Sequence, residues 1–455
     1  MTRLLRNIFL AAFAVPVAAF AQNELATATL PSAPVAGPIA QTADAGQASV
    51  LTRAEAERLA ILHNPRISVG RLLALAQHQV VREARSAYLP SAVGSITAEQ
   101  AENGSRISAG SLTSSRLLTH AGAGGSVSQL ITDFGRTRNL IASQKLQEKA
   151  QNANALAVTE DIVLATDQAF YNALQAQALL KVAVQTVDTR QTTQTLVSQM
   201  TQNKLKSTLD LSFADVDLSQ ARLLQIDARN NVDSTMAALD AILGLDHAVR
   251  YELAEDASPL PPPPADPSQL VQTALEQRPD LQSLGYGQQS AQKFAHAQRD
   301  QMLPTISALG VAGSVPIRPA AYYTNNWWGG VGVNMNVPIF NGFMYSAQAK
   351  EAEIRAEAAS EQTRELRDEI VRDVRTASLA ANTAYQRVSA TGELVNQANL
   401  AMQLAQTRYR LGLSSIVELS QAQLQQTEAE ITNTNASYQY RLALVTLAYE
   451  TGTRP

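Results

Sequence analysis

The chain has 455 residues, with 36 Lys and Arg against 40 Asp and Glu, a formal net charge of −4 and no cysteine. That balance argues against a nucleic-acid binder, which carries a basic surplus or stripe. The missing cysteines exclude disulfides, thiolate metal sites, cysteine nucleophiles and a lipid-modified N-terminal cysteine. Apolar residues reach 45% but aromatics only 5%, and this Ala-, Leu- and Val-rich composition suits long helices better than a thick globular core.

Beyond the N-terminus no apolar run is long enough for a membrane helix. A membrane β-barrel stays open, because its strands carry a weaker signal. Residues 1–21 read as an export signal. Arg3 and Arg6 form the basic start, Ile8 to Phe20 the apolar run, and Ala19-Phe20-Ala21 the cleavage site near Ala21. Residues 22–50 are rich in Ala, Pro, Thr and Gly without periodicity, and read as a flexible tether.

From Leu51 the chain contains itself twice. Ala60-Ile61 with Asn64-Pro65 matches Ala274-Leu275 with Arg278-Pro279 at an offset of 214. Asp133-Phe134-Gly135 matches Phe340-Asn341-Gly342 at 207, and Ile242-Leu243-Gly244 matches Glu450-Thr451-Gly452 at 208. The first repeat is expected over 51–253 and the second over 269–455. A linker over 254–268 holds four consecutive prolines, Pro261 to Pro264.

Each repeat has one order of elements. In the first, short helices over 52–63 and 65–88 precede strands near 90–102 and 119–132, then long helices over 136–203 and 208–243. The second has short helices over 269–277 and 279–301, strands near 304–317 and 327–340, then long helices over 342–410 and 415–450. The falling offset puts a longer loop between the first repeat's strands.

The long helices carry residues seven apart: Val374, Ala381, Val388, Val395, Met402 and Tyr409, then Val417, Leu424, Ile431, Tyr438 and Val445. Strict sevens argue for supercoiled packing. At 1.5 Å per residue the longest helices span about 100 Å.

The last strand alternates. Val331, Val333, Met335, Val337 and Ile339 point one way, and Gly332, Asn334, Asn336 and Pro338 the other, with aromatics at both ends. This is the pattern of a lipid-facing barrel strand, though a strand packed on a soluble core also has period two. If these strands cross lipid, their edges must close. One chain offers four strands and the smallest membrane barrels have about eight, so several chains must share one barrel.

The doubled plan, the Leu89-Pro90 and Leu303-Pro304 strand starts, the Asp133-Phe134-Gly135-Arg136 and Ile339-Phe340-Asn341-Gly342-Phe343 strand ends, and the segment from Tyr409 to Gln423 resemble the TolC-type outer-membrane efflux protein family. The resemblance covers residues 51–452. It implies a mainly α fold with a small membrane β part: a homotrimer whose coiled-coil helices form a periplasmic tunnel continued by a twelve-stranded barrel in outer-membrane lipid. It further implies a passive duct that receives small molecules from a periplasmic adaptor protein and an inner-membrane pump, with no enzymatic activity, cofactor or metal.

The resemblance also implies a constriction at the tunnel tip. By motif position, Tyr409, Gly412 and Glu418 match the family's tip tyrosine, turn glycine and first pore-ring aspartate, and Asp210 takes the matching place in the first repeat. Gln421 stands where the family has a second ring aspartate. Ser414 replaces the tip arginine, leaving Lys206 as the local counter-charge. The two turns, with Lys204, Leu205 and Lys206 in one and Leu411, Gly412, Leu413 and Ser414 in the other, are the expected adaptor-docking surface, because they present leucines at an extremity.

Other motifs lead nowhere. Asp133-Phe134-Gly135 lacks the rest of a kinase signature, Gly122 to Gly125 lacks a following nucleotide-binding unit, and the five histidines show no metal spacing. Two rival functions stay open at this point: a type I secretion conduit for unfolded polypeptide, and a secreted coiled-coil scaffold.

Overall fold

The structure, a computed structural model, describes residues 49–100, 106–109, 112–116, 120–245, 251–254, 260–264, 266–314 and 327–453. The expected export signal and nearly all of the expected tether lie outside the described residues. Val50–Pro455 form one compact unit.

β1 (Ser49–Leu51) pairs with β6 (Tyr251–Leu253), and Ala254 donates its amide to the Leu51 carbonyl at 2.9 Å. The first repeat runs α1 (Arg53–His63), α2 (Pro65–Ser86), β2 (Ser91–Glu99), a hairpin of β3 (Arg106–Ala109) and β4 (Leu112–Arg116), β5 (His120–Thr132), α3 (Arg136–Gln202) and α4 (Thr208–Leu243). The second runs α5 (Pro267–Gln277), α6 (Pro279–Arg299), β7 (Thr305–Ser314), β8 (Trp328–Asn336), α7 (Met344–Arg410) and α8 (Ile416–Glu450). The β3–β4 hairpin occupies part of the stretch expected to be loop.

Local chemistry sets these boundaries. Thr52 caps α1 by accepting the Glu55 amide, and Asn64 caps α2 by accepting the Arg66 amide at 2.9 Å. Pro65 and Pro279 open α2 and α6, where a missing N–H costs nothing. Gly244 ends α4 at φ +71 against the α1–α2 corner, where a Cβ would stand 2.7 Å from the His63 carbonyl oxygen. Only glycine fits that approach and that backbone.

Four strands form one antiparallel sheet in the order β2-β5-β7-β8, so each repeat supplies two strands and β5 pairs with β7 across the repeats. Across it Ala92, Val127, Gly310 and Val331 stand in one row. The four strands carry a single carboxylate, Glu99, and no Lys or Arg. Val331, Val333 and Met335 are exposed in the chain. The expected strand extends to 340, but β8 stops at Asn336, so Val337 and Ile339 lie beyond it. Pro338 has no N–H to give the ladder.

α3 and α7 are each 67 residues long, about 100 Å at 1.5 Å per residue. Neither is apolar enough to cross a membrane, nor is any other described helix. One core gathers α1, α2, α3, α4 and α8 around Ala60, Ile67, Phe170, Leu174, Leu243 and Val445. A second, at the far end of the long helices, holds Val197, Ala214, Met402, Tyr409, Ile416 and Leu419. The α7 seam is buried or half-buried from Val374 to Tyr409. In α8 the expected seam fails near the tip. Val417 and Leu424 are exposed, and Ile416, Leu419 and Gln423 are buried instead. There α8 packs on α3 and α4 as well as on its hairpin partner α7, which rotates its buried face.

Candidate functional site

The α3–α4 and α7–α8 turns form the tip, and they are built alike. In the first, Lys204 and Leu205 donate to the Thr201 and Met200 carbonyls at 3.0 and 2.8 Å. In the second, Gly412 and Leu413 donate to Tyr409 and Arg408 at 3.0 and 2.8 Å. Both satisfy a helix's last carbonyls through one left-handed residue. That residue is Gly412 at φ +74 in one turn and Lys204 at φ +62 in the other. Leu205, Leu411 and Leu413 are exposed at 70, 68 and 66%.

Asp210 and Glu418 stand at equivalent places but have different partners. Ser207 caps α4 and accepts the Asp210 amide at 3.1 Å, while the Asp210 carboxylate accepts the Ser207 amide at 3.2 Å. This reciprocal capping box fixes the Asp210 side chain. Ser415 caps α8 and accepts the Glu418 amide at 3.4 Å. The Glu418 carboxylate instead lies 3.0 Å from Arg408 Nε, on the helix before the turn. Arg408 was not among the expected site residues. It sits one place before Tyr409, and both members of the pair are largely exposed.

Tyr409 is fully buried in the tip core, and its hydroxyl has no hydrogen-bond partner. Among the described residues Lys206 pairs with no carboxylate. Its ammonium lies 4.3 Å from the Tyr409 ring centroid, a cation–π contact. Burial first, and the Asp210 charge second, push the Tyr409 phenol up to about 12. The Ser414 hydroxyl is also buried without a partner. Gln421 lies exposed on α8. Tyr409, Lys206 and Asp210 are therefore brought together, while Glu418 goes with Arg408.

Above the tip core lies a polar layer absent from the sequence expectations. Arg190 on α3 donates to the Gln423 side chain on α8, and Gln423 donates to Thr193 at 2.9 Å. Asp217 on α4 lies 3.9 Å from Arg190 and accepts from Ser420 at 2.6 Å. Burial lowers the Arg190 guanidinium pKa, and Asp217 partly offsets this. The layer joins three helices of both repeats. Its signal is in the sequence: Ile162, Ala169, Ala176, Ala183, Arg190 and Val197 are each seven apart, and one is charged. A polar residue in a coiled-coil seam fixes register.

The sequence pattern described as "Outer membrane efflux protein" matches residues 56–245 and 270–453. The chain belongs to the outer membrane efflux protein family. It is similar to outer membrane protein OprJ of Pseudomonas aeruginosa, 26% identical over 69% of this chain and 66% of OprJ. It is also similar to outer membrane protein TolC of Escherichia coli, 25% identical over 72% of this chain and 68% of TolC. The chain thus spans about two-thirds of the length of these relatives. The crystal structure of CusC shares the fold, with a TM-score of 0.77 and 19% identity over 88% of this chain and 92% of that one. The efflux family is one of channel proteins, not of enzymes. Among the described residues no group of three side chains is arranged to hold a metal.

Proposed function

We propose that the chain is the outer-membrane exit duct of a tripartite export system, a homotrimer that passively conducts small molecules. One observation carries this reading. A four-stranded sheet with almost no charge and two unpaired edges, β2 and β8, is continued by helices about 100 Å long. An open edge has no partner in hydrocarbon, so copies must join edge to edge. Further support comes from apolar stripes that the single chain leaves uncovered: Leu209, Val216 and Leu223 on α4, and Val417 and Leu424 on α8.

In this reading Val331, Val333 and Met335 face outer-membrane lipid, and Val337 and Ile339 mark the interfacial end of that face. The helices form a periplasmic tunnel. Its tips, through Leu205, Leu411 and Leu413 with Lys204, Lys206, Gly412 and Ser414, receive a periplasmic adaptor protein and through it an inner-membrane pump. Tyr409, Asp210, Glu418 and Gln421 narrow the closed end. The chain reaches its place through a leader removed near Ala21.

The test has two parts. Mass measurement in detergent should give a trimer, and a monomer would defeat the reading. In planar bilayers the protein should form channels whose conductance rises in Asp210→Ala with Glu418→Ala. Unchanged conductance would move the constriction away from those carboxylates.

A further inference from the structure

Cations gather just beyond the sheet, on α2, α3 and α6. Gln77 of α2 donates to Gln144 of α3 at 3.0 Å, and His78 Nδ1 lies 2.7 Å from a Glu148 carboxylate oxygen. On the other side of α3, Ser143 meets Ser290 of α6 at 2.9 Å, and Ser283 donates to the Ala150 carbonyl at 2.8 Å. At about 100° per residue, Arg138 and Lys145 share the face of α3 that carries Lys149. The Lys149 ammonium lies 5.6 Å from the Tyr286 ring centroid on α6, and Lys293 stands seven residues beyond Tyr286 on the same face. On α2, Arg82 and Arg85 stand four and seven residues beyond His78, on its face. Arg82, Arg85, Arg138, Lys145 and Lys293 are thereby brought to one side of the three helices.

These side chains lie near the strand–helix junctions, four of them within about two helical turns and Lys145 within about three, or about 16 Å. Each is exposed, and none forms an ion pair among the described residues. The carboxylates beside them are engaged. Glu148 meets His78, Asp133 accepts the Gly135 and Thr137 amides, and Asp300 accepts from Asn139. Among the described residues of these helix ends, Glu83 is the carboxylate left to face the five cations. Residues 22–48, outside the described range, hold only Glu24 and Asp44, too few to balance the patch.

The α6–α7 corner shows that the fold does not require this charge. α3 and α7 both have 67 residues and start at Arg136 and Met344, so Arg138 corresponds to Ser346 and Lys145 to Glu353. At the offset of the short helices, Arg82 corresponds to His296 and Arg85 to Arg299. Arg299 pairs with Glu353, which also lies 3.4 Å from Lys350. The corner of the second repeat is neutralised within itself, and that of the first repeat is not.

Position decides the partner. Farther along α3 the same face carries Asp167, where α1 packs through Arg53. In the proposed ring α1 lies outside, since inside it would fill the duct, so the cations stand on the outer wall. Toward the sheet come the exposed Tyr88, Leu89 and Phe134 at the junctions, then strands without Lys or Arg. Apolar strands, an apolar and aromatic rim and cations thus succeed one another as acyl chains, interface and headgroups do in a bilayer leaflet. We propose that this patch binds the phosphate groups of anionic phospholipids, such as phosphatidylglycerol, in the leaflet nearest the helices, an inference that rests on the membrane reading of the sheet. Clusters of about four to eight cations beside a membrane-embedded segment attract such lipids, over about one Debye length.

The test reconstitutes the full-length protein in phosphatidylcholine vesicles with a trace of spin-labelled phosphatidylglycerol or spin-labelled phosphatidylcholine, and measures the motionally restricted fraction of each. Phosphatidylglycerol should be preferred about fivefold, and the preference should shrink in about 0.5 M salt. Arg82→Gln, Arg85→Gln, Arg138→Gln, Lys145→Gln and Lys293→Gln together should abolish it, with restricted phosphatidylcholine and oligomer yield unchanged. Lys350→Gln, Arg355→Gln and Arg364→Gln together, at paired positions of α7, should keep it. Equal restriction of the two lipids, a preference that survives the five substitutions, or one lost equally in the α7 variant would overturn the proposal. So would displacement of phosphatidylglycerol by inorganic phosphate at matched ionic strength, which would leave a free-phosphate site. Restriction of neither lipid would instead defeat the membrane reading itself.

Discussion

Asn64 and Arg278 hold the same position in the two repeats, and each grips the end of its own repeat's last helix. Asn64 Nδ2 donates to the Ile242 carbonyl at 2.9 Å, and Arg278 donates to the Glu450 carbonyl at 3.4 Å. Both stand between two short helices, immediately before a proline. The same closure is thus made by an amide in one repeat and a guanidinium in the other.

Asn64→Ala removes the α2 cap and the Ile242 bond together, and should destabilise by about 1–3 kcal/mol. Gly244→Ala should do more harm. Both glycines are left-handed, at φ +71 and +67, but a Cβ at Gly244 would press on the His63 carbonyl at 2.7 Å, whereas one at Gly452 would meet Arg278 only at 3.4 Å. Thermal unfolding of the three variants in one detergent should rank Gly452→Ala as the mildest.

The Tyr409 hydroxyl is buried without a partner, so the ring and the hydroxyl should have opposite effects. Tyr409→Phe should keep stability or raise it by about 1 kcal/mol, since an unsatisfied polar group is removed. Tyr409→Ala should lose about 3–5 kcal/mol by opening the tip core. Denaturant midpoints separate the two outcomes. A large loss in Tyr409→Phe would mean that the hydroxyl finds a partner in the assembled protein.

Lys204 carries the left-handed turn that Gly412 carries in the other repeat. Relieving that backbone by Lys204→Gly should stabilise the tip by about 1 kcal/mol. Gly412→Ala should cost about the same. Protease susceptibility at the two turns is the measurement, with slower cleavage expected in the first variant and faster in the second.

Neighbouring residues of β8 should respond differently to charge. Val333→Arg places a cation on the face read as lipid-exposed, at about 2–4 kcal/mol near the midplane. Asn334→Arg points the other way and should be tolerated. Quantifying heat-resistant oligomer in the membrane fraction compares them, and equal yields would contradict the assignment of faces.

The Asp167 carboxyl gives a pH dependence with a definite sign. Burial first and the Glu57 charge second raise its folded pKa to about 7, above the ordinary carboxylate range. Between about pH 4 and pH 7 the folded chain therefore holds more protons than the unfolded one, and stability falls as pH rises. Asp167→Asn cannot ionise and should lose that slope. Unfolding midpoints of both proteins across this range should diverge toward neutral pH, with the variant relatively more stable.

The long helices, the two turns, the strands and the doubling were legible in the sequence because each rests on local periodicity. Sevens in α7, alternation in β8 and prolines opening α2 and α6 need no knowledge of distant residues. Strand ends were read less well. β8 stops at Asn336, opposite the first residue of β7, and a hairpin stands where a loop was expected, because ladder bonds depend on the neighbouring strand. The site needed the tertiary structure most. Asp210 and Glu418 look equivalent in sequence, yet one closes a capping box and the other meets Arg408 across a turn. Arg190 and Gln423 are 233 residues apart, and nothing local says that they touch. The same holds for Asp167. Its charge is plain in the sequence, but its burial beside Glu57 comes from packing α1 onto α3, and only packing decides whether a charge is solvated or must find a partner.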